Sequence, residues 1–286
     1  MAQATMSGYI NWQHDKVGTA DATNQLNDAG FTLSVAEDLG GGLKASASIN
    51  VDTLVGRTGN AKNGDTSFSL SGGFGTVTAA RTRAPNLAAS GNPYGVVVSK
   101  GFNDGVVYTR PEVQSLTYTL PEMVKGLRVY GATSNILASN TANTANNTAT
   151  TTDATTIGAI YTTGPLSLGV QRKTGNSAAK AAAPLNEGSQ TEAFVTYNAG
   201  VAVIGYGYGS KEQTAGSAVT SYGISVPMGA FSFGVAAAQR GDAEYLNYGA
   251  SYALSKRTTL TVGMGSYQTT ATNSADQRRI RLAHNF

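Results

Sequence analysis

The chain has 286 residues, of which 13% are charged, and its formal net charge is +3 at pH 7. So mild a charge, with no compact Lys/Arg cluster, gives no indication of a nucleic-acid partner. The absence of cysteine excludes disulfides and thiolate metal sites, and no apolar run approaches the ~18 residues of a membrane-spanning helix.

The stretch AEDLGGGLKASASINVD, residues 36–52, shows the pattern that recurs along the chain. From Leu43 onward, apolar residues occupy the odd positions and polar residues, including Lys44, the even ones. Strict alternation predicts a strand, and the glycines before it predict a tight turn. Sixteen strands are predicted in this way, at residues 4–13, 28–37, 43–52, 66–72, 74–82, 113–120, 126–134, 155–163, 165–174, 190–198, 201–210, 218–227, 230–239, 244–253, 257–268 and 277–286.

The connections between these strands alternate between short and long. The long polar ones are residues 14–27, 53–65, 83–112, 135–154 and 175–189, while those on the long side near the C-terminus are more modest. Tight turns and both termini therefore lie at one end of the sheet. An even strand number with this asymmetry is typical of an outer-membrane β-barrel. We predict an all-β fold, a 16-stranded antiparallel transmembrane β-barrel that forms a single domain over residues 1–286.

The apolar faces of most strands support a barrel with an apolar exterior. Residues of one parity include Met6, Ile10 and Trp12 in the first strand, and Ile280, Leu282 and Phe286 in the last. A soluble β-sandwich also alternates, but it has no reason to place its long connections at one end. The parity of strands 155–163, 190–198 and 201–210 is ambiguous.

Several segments resemble the Gram-negative general porins, in particular their β-proteobacterial branch. The first hairpin is AEDLGGGLKASASINVD, the second is SFSLSGGFGTVTAARTRAP (67–85), and the last is YGASYALSKRTTLTVGMGSY (248–267). The chain ends in RIRLAHNF, and AQATMSGYINW resembles a processed N-terminus without its export signal. The resemblance implies a homotrimer in the bacterial outer membrane, with a long third loop, residues 83–112, folded into the lumen as a constriction.

The resemblance also implies that acidic groups on the third loop face arginines on the opposite wall. The candidate pore residues are Lys44, Arg81, Arg83, Lys100, Asp104, Arg110, Glu112, Arg128, Arg279 and Arg281. Lys44, Arg128, Arg279 and Arg281 have lumen parity, whereas Arg81 shares the lipid-facing parity of Ala79 and needs a bulge or strand end to turn inward. Gly30 stands where the family usually carries an arginine in the second strand. An excess of cations over carboxylates lowers the energy of a passing anion, so we predict a diffusion channel for ions and small hydrophilic solutes with anion preference.

Other functions remain open. A channel tuned to one anion class is one alternative, and a non-channel β-rich surface adhesin is another. An enzyme is not expected, because His14 and His284 are the only histidines and neither is placed near a nucleophile. No cofactor is expected, although the carboxylates of Asp15, Asp21, Asp28 and Asp65 could bind Ca²⁺ at the rim.

The expected partners are outer-membrane lipid and lipopolysaccharide, small anions and hydrophilic solutes, and two further copies of the chain. The small outward residues of the third and fifth strands, such as Ala47 and Ala79, favour a subunit contact there. Loop 53–65 resembles the segment with which the family latches onto a neighbouring subunit.

Overall fold

The computed structural model describes residues 3–52, 54, 62–94, 107, 112–137, 149–175, 188–210, 217–270 and 273–286. They form one closed β-barrel of sixteen strands, which confirms the predicted fold class. Each strand pairs antiparallel with its neighbours in the chain, and β1 pairs with β16. The strands are β1 (Gln3–Val17), β2 (Thr23–Gly40), β3 (Leu43–Asp52), β4 (Lys62–Gly72), β5 (Gly75–Arg83), β6 (Glu112–Thr119), β7 (Leu127–Leu137), β8 (Ala149–Thr163), β9 (Leu166–Gly175), β10 (Gly188–Asn198), β11 (Val203–Gly209), β12 (Val219–Met228), β13 (Phe231–Arg240), β14 (Ala243–Ala253), β15 (Thr258–Thr270) and β16 (Asn273–Asn285), and a short helix α1 (Leu87–Ser90) follows β5.

The two ends of the chain seal the barrel. Along the β1–β16 seam the register runs from Tyr9 opposite Asn285 to Val17 opposite Gln277. At its end, the backbone N–H of Gly8 donates to the carbonyl oxygen of Phe286 and the reverse bond also forms, both at 2.9 Å. A β-carbon on Gly8 would collide with the Phe286 ring. The closed sheet leaves no open edge, which is the condition that strands must meet in a lipid bilayer.

The strands reach further toward the long-connection end than the alternation predicts. The predicted loop 14–27 is wrong for most of its length, because β1 and β2 leave only residues 18–22 between them. A β-bulge in this hairpin leaves Asn27 unpaired opposite β1. A bulge shifts the alternation by one residue, so a constant period of two cannot be followed through it.

The outer face of the barrel is apolar and the inner face is polar. Cross-strand hydroxyl pairs line the inside, such as Ser69 with Thr78 at 2.8 Å between their side-chain oxygens. In the strands whose parity was ambiguous, Ile157, Val195 and Tyr206 are exposed on the outer face. The predicted outward faces are confirmed, with exposed side chains that include Met6, Ile10, Trp12, Leu116, Tyr118, Leu168, Val170, Tyr222, Ile224, Phe231, Phe233, Leu246, Val262, Met264, Ile280 and Leu282.

The third of the long connections joins β5 to β6 and is called the third connection from here on. It begins at Ala84, and its described residues are 84–94 and 107. Asn86 caps α1, since its side-chain oxygen accepts from the backbone N–H of Ala89 at 3.1 Å. The helix contacts β9, β10, β11 and β12. This part of the connection therefore lies against the barrel wall, while residues 95–106 and 108–111 fall outside the described part of the chain. No helix among the described residues is long and apolar enough to cross a membrane.

Candidate functional site

Residues 84–94 of the third connection lie on a row of inward-facing glycines. A β-carbon on Gly207 would meet the carbonyl oxygen of Ala88, and one on Gly234 would meet the ring of Tyr94. The glycine track, as we name it, consists of Gly205, Gly207, Gly223 and Gly234 on β11, β12 and β13. The segment GYGYG at 205–209 thus directs its tyrosines outward and its glycines toward the connection. At Gly205 and Gly207 the backbone of the connection comes this close, and at Gly223 and Gly234 the side chains of Asn92 and Tyr94 do; either approach needs a residue without a side chain in the wall.

Apolar packing also holds the connection against the wall. Ala88 and Val107 of the connection are 1% and 0% exposed. They belong to one buried cluster with apolar and aromatic residues of the inner wall, namely Val219, Ala236, Ala238, Ala243 and Tyr245. An inner wall that faced only water would not need apolar residues at these positions. The cluster shows that this part of the wall is shaped to hold the connection.

The glycine track can be tested by adding one methyl group. Gly207→Ala places a β-carbon against the Ala88 carbonyl, whereas Gly209→Ala, on the same face of β11, meets no atom closer than 3.4 Å. Overpacking costs about 1–3 kcal/mol, so trypsin should cleave the third connection at least about 5-fold faster in Gly207→Ala. Gly209→Ala is expected to match the unsubstituted protein. Equal cleavage of both variants would show that the wall tolerates a side chain under the connection.

Glu192 on β10 anchors the start of the connection. Its side chain is fully buried, and one carboxylate oxygen accepts from the backbone N–H of Leu87 at 2.7 Å and from the Gln171 amide at 2.6 Å. The other oxygen pairs with Lys173 Nζ at 2.8 Å. Gln171 and Lys173 also donate to the carbonyl oxygen of Pro85. A buried carboxylate is stable only when it is paired and hydrogen-bonded in this way, so this cluster, the Glu192 anchor, holds the connection as a unit.

The anchor extends along the wall to β7. The Tyr130 hydroxyl donates to Gln171 Oε1 at 2.7 Å. The guanidinium carbon of Arg128 lies 4.9 Å from the centroid of the Tyr130 ring, within the range of a cation–π interaction. Alternation predicts Arg128 on the lumen face, and the structure places it there, beside the anchored connection.

A second charged group lies across the β1–β16 seam. Arg279 Nη2 and Asp15 Oδ2 are 3.0 Å apart, and Arg279 Nε is 3.4 Å from Asp15 Oδ1. The Gln277 amide donates to both carboxylate oxygens at 2.9 Å. Arg279 is only 6% exposed. The charge of this arginine is therefore largely balanced within the wall.

Arg281, the next inward residue of β16, lines a recess of about 490 Å³ in the lumen. Tyr9, Asp28 and Tyr94 are among its other lining residues. Arg281 Nη2 lies 2.7 Å from the side-chain oxygen of Asn11 when that amide is turned toward β16, and the guanidinium also interacts electrostatically with Asp28. Tyr94 brings the third connection to this wall, and burial raises the pKa of its phenol. The described part of the connection thus follows the inner wall from the Glu192 anchor on β10 to Gly234 on β13, where Tyr94 lines the same recess as Arg281.

Arg81, Arg83 and Glu112 do not face the lumen, so their assignment to the constriction is wrong. The pairing of β5 with β4 and β6 has no bulge, and Arg81 and Arg83 therefore keep the outward parity of Ala79. Arg81 Nη2 lies 3.1 Å from Glu112 Oε2. Arg81 also lines a groove on the outer surface together with Phe68. Because the alternation of β5 is regular to its last residue, no bulge turns these side chains inward.

The remaining candidates are separated from this cluster. Lys44 is on the inner face, but it is exposed and adjoins the tight turn at residues 40–42. It therefore lies at the mouth of the barrel. Lys100, Asp104 and Arg110 fall outside the described residues.

Sequence reasoning missed the residues that hold the third connection. Glu192 lies in a strand of ambiguous parity, within TEAFV, and gave no sign of its partners. The available signal was its charge, because a carboxylate in a membrane-spanning strand must find donors. The glycines of GYGYG were a second signal, since inward glycines leave room for another backbone.

Two of the possible calcium ligands lie on the inner wall. Asp15 accepts from Gln277 and Arg279, and Asp28 lines the recess with Arg281. Within the described residues no group of three or more His, Asp or Glu side chains could hold a metal ion.

Comparison with known proteins gives one family and many related structures. A family model described as Gram-negative porin matches residues 1–272. No curated protein matches the chain. Among solved structures, an anion-selective porin from Comamonas acidovorans superposes with a TM-score of 0.69 at 18% identity, covering 100% of both chains.

Two further structures have the same fold. A loop L8 deletion mutant of OmpT, an outer membrane protein of Vibrio cholerae, gives a TM-score of 0.67 at 11% identity and covers 100% of this chain and 99% of its own. A multiple mutant of the Rh. blastica porin gives a TM-score of 0.68 at 12% identity, with 100% of both chains covered. At these identities the structural likeness shows the fold alone.

Proposed function

Since this chain belongs to the Gram-negative porin family, and is therefore a diffusion channel of the bacterial outer membrane, we propose that its third connection forms a constriction that favours anions. The observation that carries the proposal is the path of residues 84–94 along the inner wall, from β9 and β10 to β13. These residues start at the Glu192 anchor and bring Tyr94 to the recess lined by Arg281. A segment held inside a barrel narrows the route for solutes without any catalytic group.

The constriction is proposed to work by size and charge. The Glu192 anchor and the glycine track fix the position of the connection, and Tyr94 presents an uncharged surface to the recess. Arg281 and Arg128 then supply positive charge at two places on the wall, on β16 and on β7. Passage requires attraction strong enough to admit an ion and weak enough to release it.

Anion preference is proposed rather than strict anion selection. Arg279 is paired with Asp15, and Arg281 shares its recess with Asp28. Arg128 stacks on an uncharged ring instead of a carboxylate. The structurally similar porin from Comamonas acidovorans is described as anion-selective, which agrees with this sign. Among the alternatives, no observation favours a channel tuned to one solute or an adhesin.

Arg281 gives the most direct test of this preference. Arg281→Gln removes one positive charge beside Asp28, which at ~1 kcal/mol of interaction lowers the anion-to-cation permeability ratio about 5-fold. Reversal potentials in a KCl gradient measure this ratio. The matched control is Arg278→Gln, which removes the same charge from the outer face of β16 and is expected to leave the ratio unchanged. Cation selectivity of the unsubstituted channel would refute the proposed preference.

We further propose that three copies assemble through the outer face of β3–β6. Arg81 lies six residues beyond the turn at Gly75, which at ~3.3 Å per residue and ~40° tilt is ~15 Å above that turn. The apolar band of a barrel is ~25 Å tall, so the Arg81–Glu112 pair falls inside it. A second copy of the chain would shield this pair from lipid, and the small Ala47 and Ala79 nearby permit close approach. Lipid and lipopolysaccharide are then proposed to surround the remaining outer face.

A further inference from the structure

The recess beside Arg281 contains charges of both signs that do not pair with each other. Arg281 on β16 and Asp28 on β2 both line this space of about 490 Å³ in the lumen. Neither side chain forms an ion pair with any residue that the structure describes. The recess therefore offers a ligand both a guanidinium and a carboxylate, each without an opposite charge in contact.

Asn11 on β1 lies between the two charges and keeps them apart. It is the register partner of Asp28, and its side-chain oxygen lies 2.7 Å from Arg281 Nη2 when the amide is turned toward β16. Asp28 and Arg281 are separated by two strand spacings and by two residues along the strand, so their Cα atoms are ~12 Å apart. This spacing leaves room for a small molecule between the two charged groups.

The carboxylate end of the recess is the end at β2. Asp28 interacts electrostatically with Asp52, the neighbouring carboxylate on β3 that accepts a hydrogen bond from the Tyr9 hydroxyl. Two carboxylates thus lie at this end, against one guanidinium at the other. An ammonium group bound at Asp28 would relieve the repulsion between them.

The guanidinium end of the recess also carries hydroxyl groups. Thr261 on β15 is the register partner of Arg281, and Ser251 on β14 is the register partner of Thr261. Both hydroxyls line the recess, and their oxygens are 3.1 Å apart. Since one hydrogen bond between them uses one proton, the other hydroxyl proton remains for a ligand. This end therefore has the donors that a carboxylate requires.

We propose that the recess binds dipolar solutes, and that its ligands are α-amino acids. The ammonium group lies at Asp28, and the carboxylate lies at Arg281 and the hydroxyls of Ser251 and Thr261. A solute with only one of these charges meets an uncompensated like charge at the other end, so the recess discriminates against it. Its volume falls within the ~300–1,000 Å³ of small-molecule sites.

This inference rests on the proposed diffusion channel, since it names a class of solutes that the channel holds in transit. It does not depend on anion preference. The preference is measured by reversal potentials, whereas binding of a dipolar solute is measured by the block of the current. The two proposals can therefore fail separately.

Four molecules of similar size separate dipolar binding from attraction to a single charge. At pH 7 L-alanine carries both charges, L-lactate only the carboxylate, L-alaninamide only the ammonium group, and L-lactamide neither. Each is added to the purified protein in a planar bilayer, and the concentration that halves the KCl current is measured. L-alanine is expected to do so at about 10-fold lower concentration than the other three, because it alone gains a charge-assisted hydrogen bond at both ends.

Removing either charge should change which molecule binds best. Asp28→Asn leaves a site for carboxylates, so L-lactate should block the current at least as well as L-alanine. Arg281→Gln leaves a site for ammonium groups, so L-alaninamide should become the strongest blocker. A general distortion of the wall would instead weaken the block by all four molecules.

Matched controls are available at the mouth of the barrel. Asp38 and Lys44 are register partners beside the tight turn, and the amide in Asp38→Asn keeps an oxygen for the Gly40 N–H. Asp38→Asn and Lys44→Gln should both retain the preference for L-alanine. Equal half-blocking concentrations for all four molecules in the unsubstituted channel would overturn the proposal, and so would a preference for L-alanine that survives in Asp28→Asn.

Discussion

Replacing Glu192 by alanine is expected to release the third connection from the wall and to raise the single-channel conductance. The substitution leaves the Leu87 N–H without its acceptor and removes the carboxylate bonded to Gln171 and Lys173, which keep only the Pro85 carbonyl oxygen among the partners described above. Breaking a buried ion pair costs about 3–5 kcal/mol, which shifts the ratio of attached to released connection by about 100-fold or more. The barrel itself should persist, because its strands pair independently of the connection. Planar-bilayer recordings and liposome swelling with sugars of increasing size measure the outcome.

Two further variants make the Glu192 test specific. Glu192→Gln keeps an oxygen for Leu87 but loses the charge opposite Lys173, so an intermediate conductance is expected. Glu244→Ala removes a carboxylate from the outer face of β14 and should leave the conductance unchanged. A folded Glu192→Ala channel with the original conductance and sugar cut-off would show that the connection is held by other contacts.

A strand could be predicted from the sequence where one of its faces is apolar and the other polar over its whole length. β3 was predicted at residues 43–52, and the structure gives Leu43–Asp52, because apolar and polar residues alternate to its last residue. β8 was predicted from residue 155 but begins at Ala149. Its first residues, ATTTD, carry no apolar face. Backbone pairing continues there even though the sequence pattern has ended.

The site could be predicted only in part, since parity places a side chain on a face but does not give its partner. Arg279 and Arg281 were assigned to the lumen from alternation alone. The contact between Glu192 and Leu87 joins residues 105 positions apart, and no local pattern encodes it. Arg81 shows the opposite case, because alternation gave its outward direction and the family resemblance pointed inward. The regular pairing of β5 shows that Arg81 follows the alternation and faces outward.

The proposed subunit contact can be tested with a bulky residue on the outer face of β5. Ala79→Trp introduces an indole beside the groove lined by Phe68 and Arg81. If a second copy packs there, the new side chain forces the barrels apart and exposes the Arg81–Glu112 pair to lipid. At ~1–3 kcal/mol per overpacked contact, three contacts should lower the temperature of trimer dissociation by roughly 10 °C or prevent assembly. Electrophoresis of samples heated to increasing temperatures measures that transition.

The matched control for this contact is a residue on the other side of the barrel. Ala250 is an outward-facing alanine of β14, opposite Phe233 on β13, so Ala250→Trp adds the same volume to a face that meets lipid. Trimers of this variant should dissociate at the original temperature, because acyl chains rearrange around an added ring whereas a packed protein surface does not. Should Ala250→Trp break the trimer and Ala79→Trp leave it intact, the subunit contact belongs on the β14 side. The Arg81–Glu112 pair would then face lipid as a membrane-embedded ion pair, beside the polar side chains of Thr66, Gln114, Thr133 and Asn135.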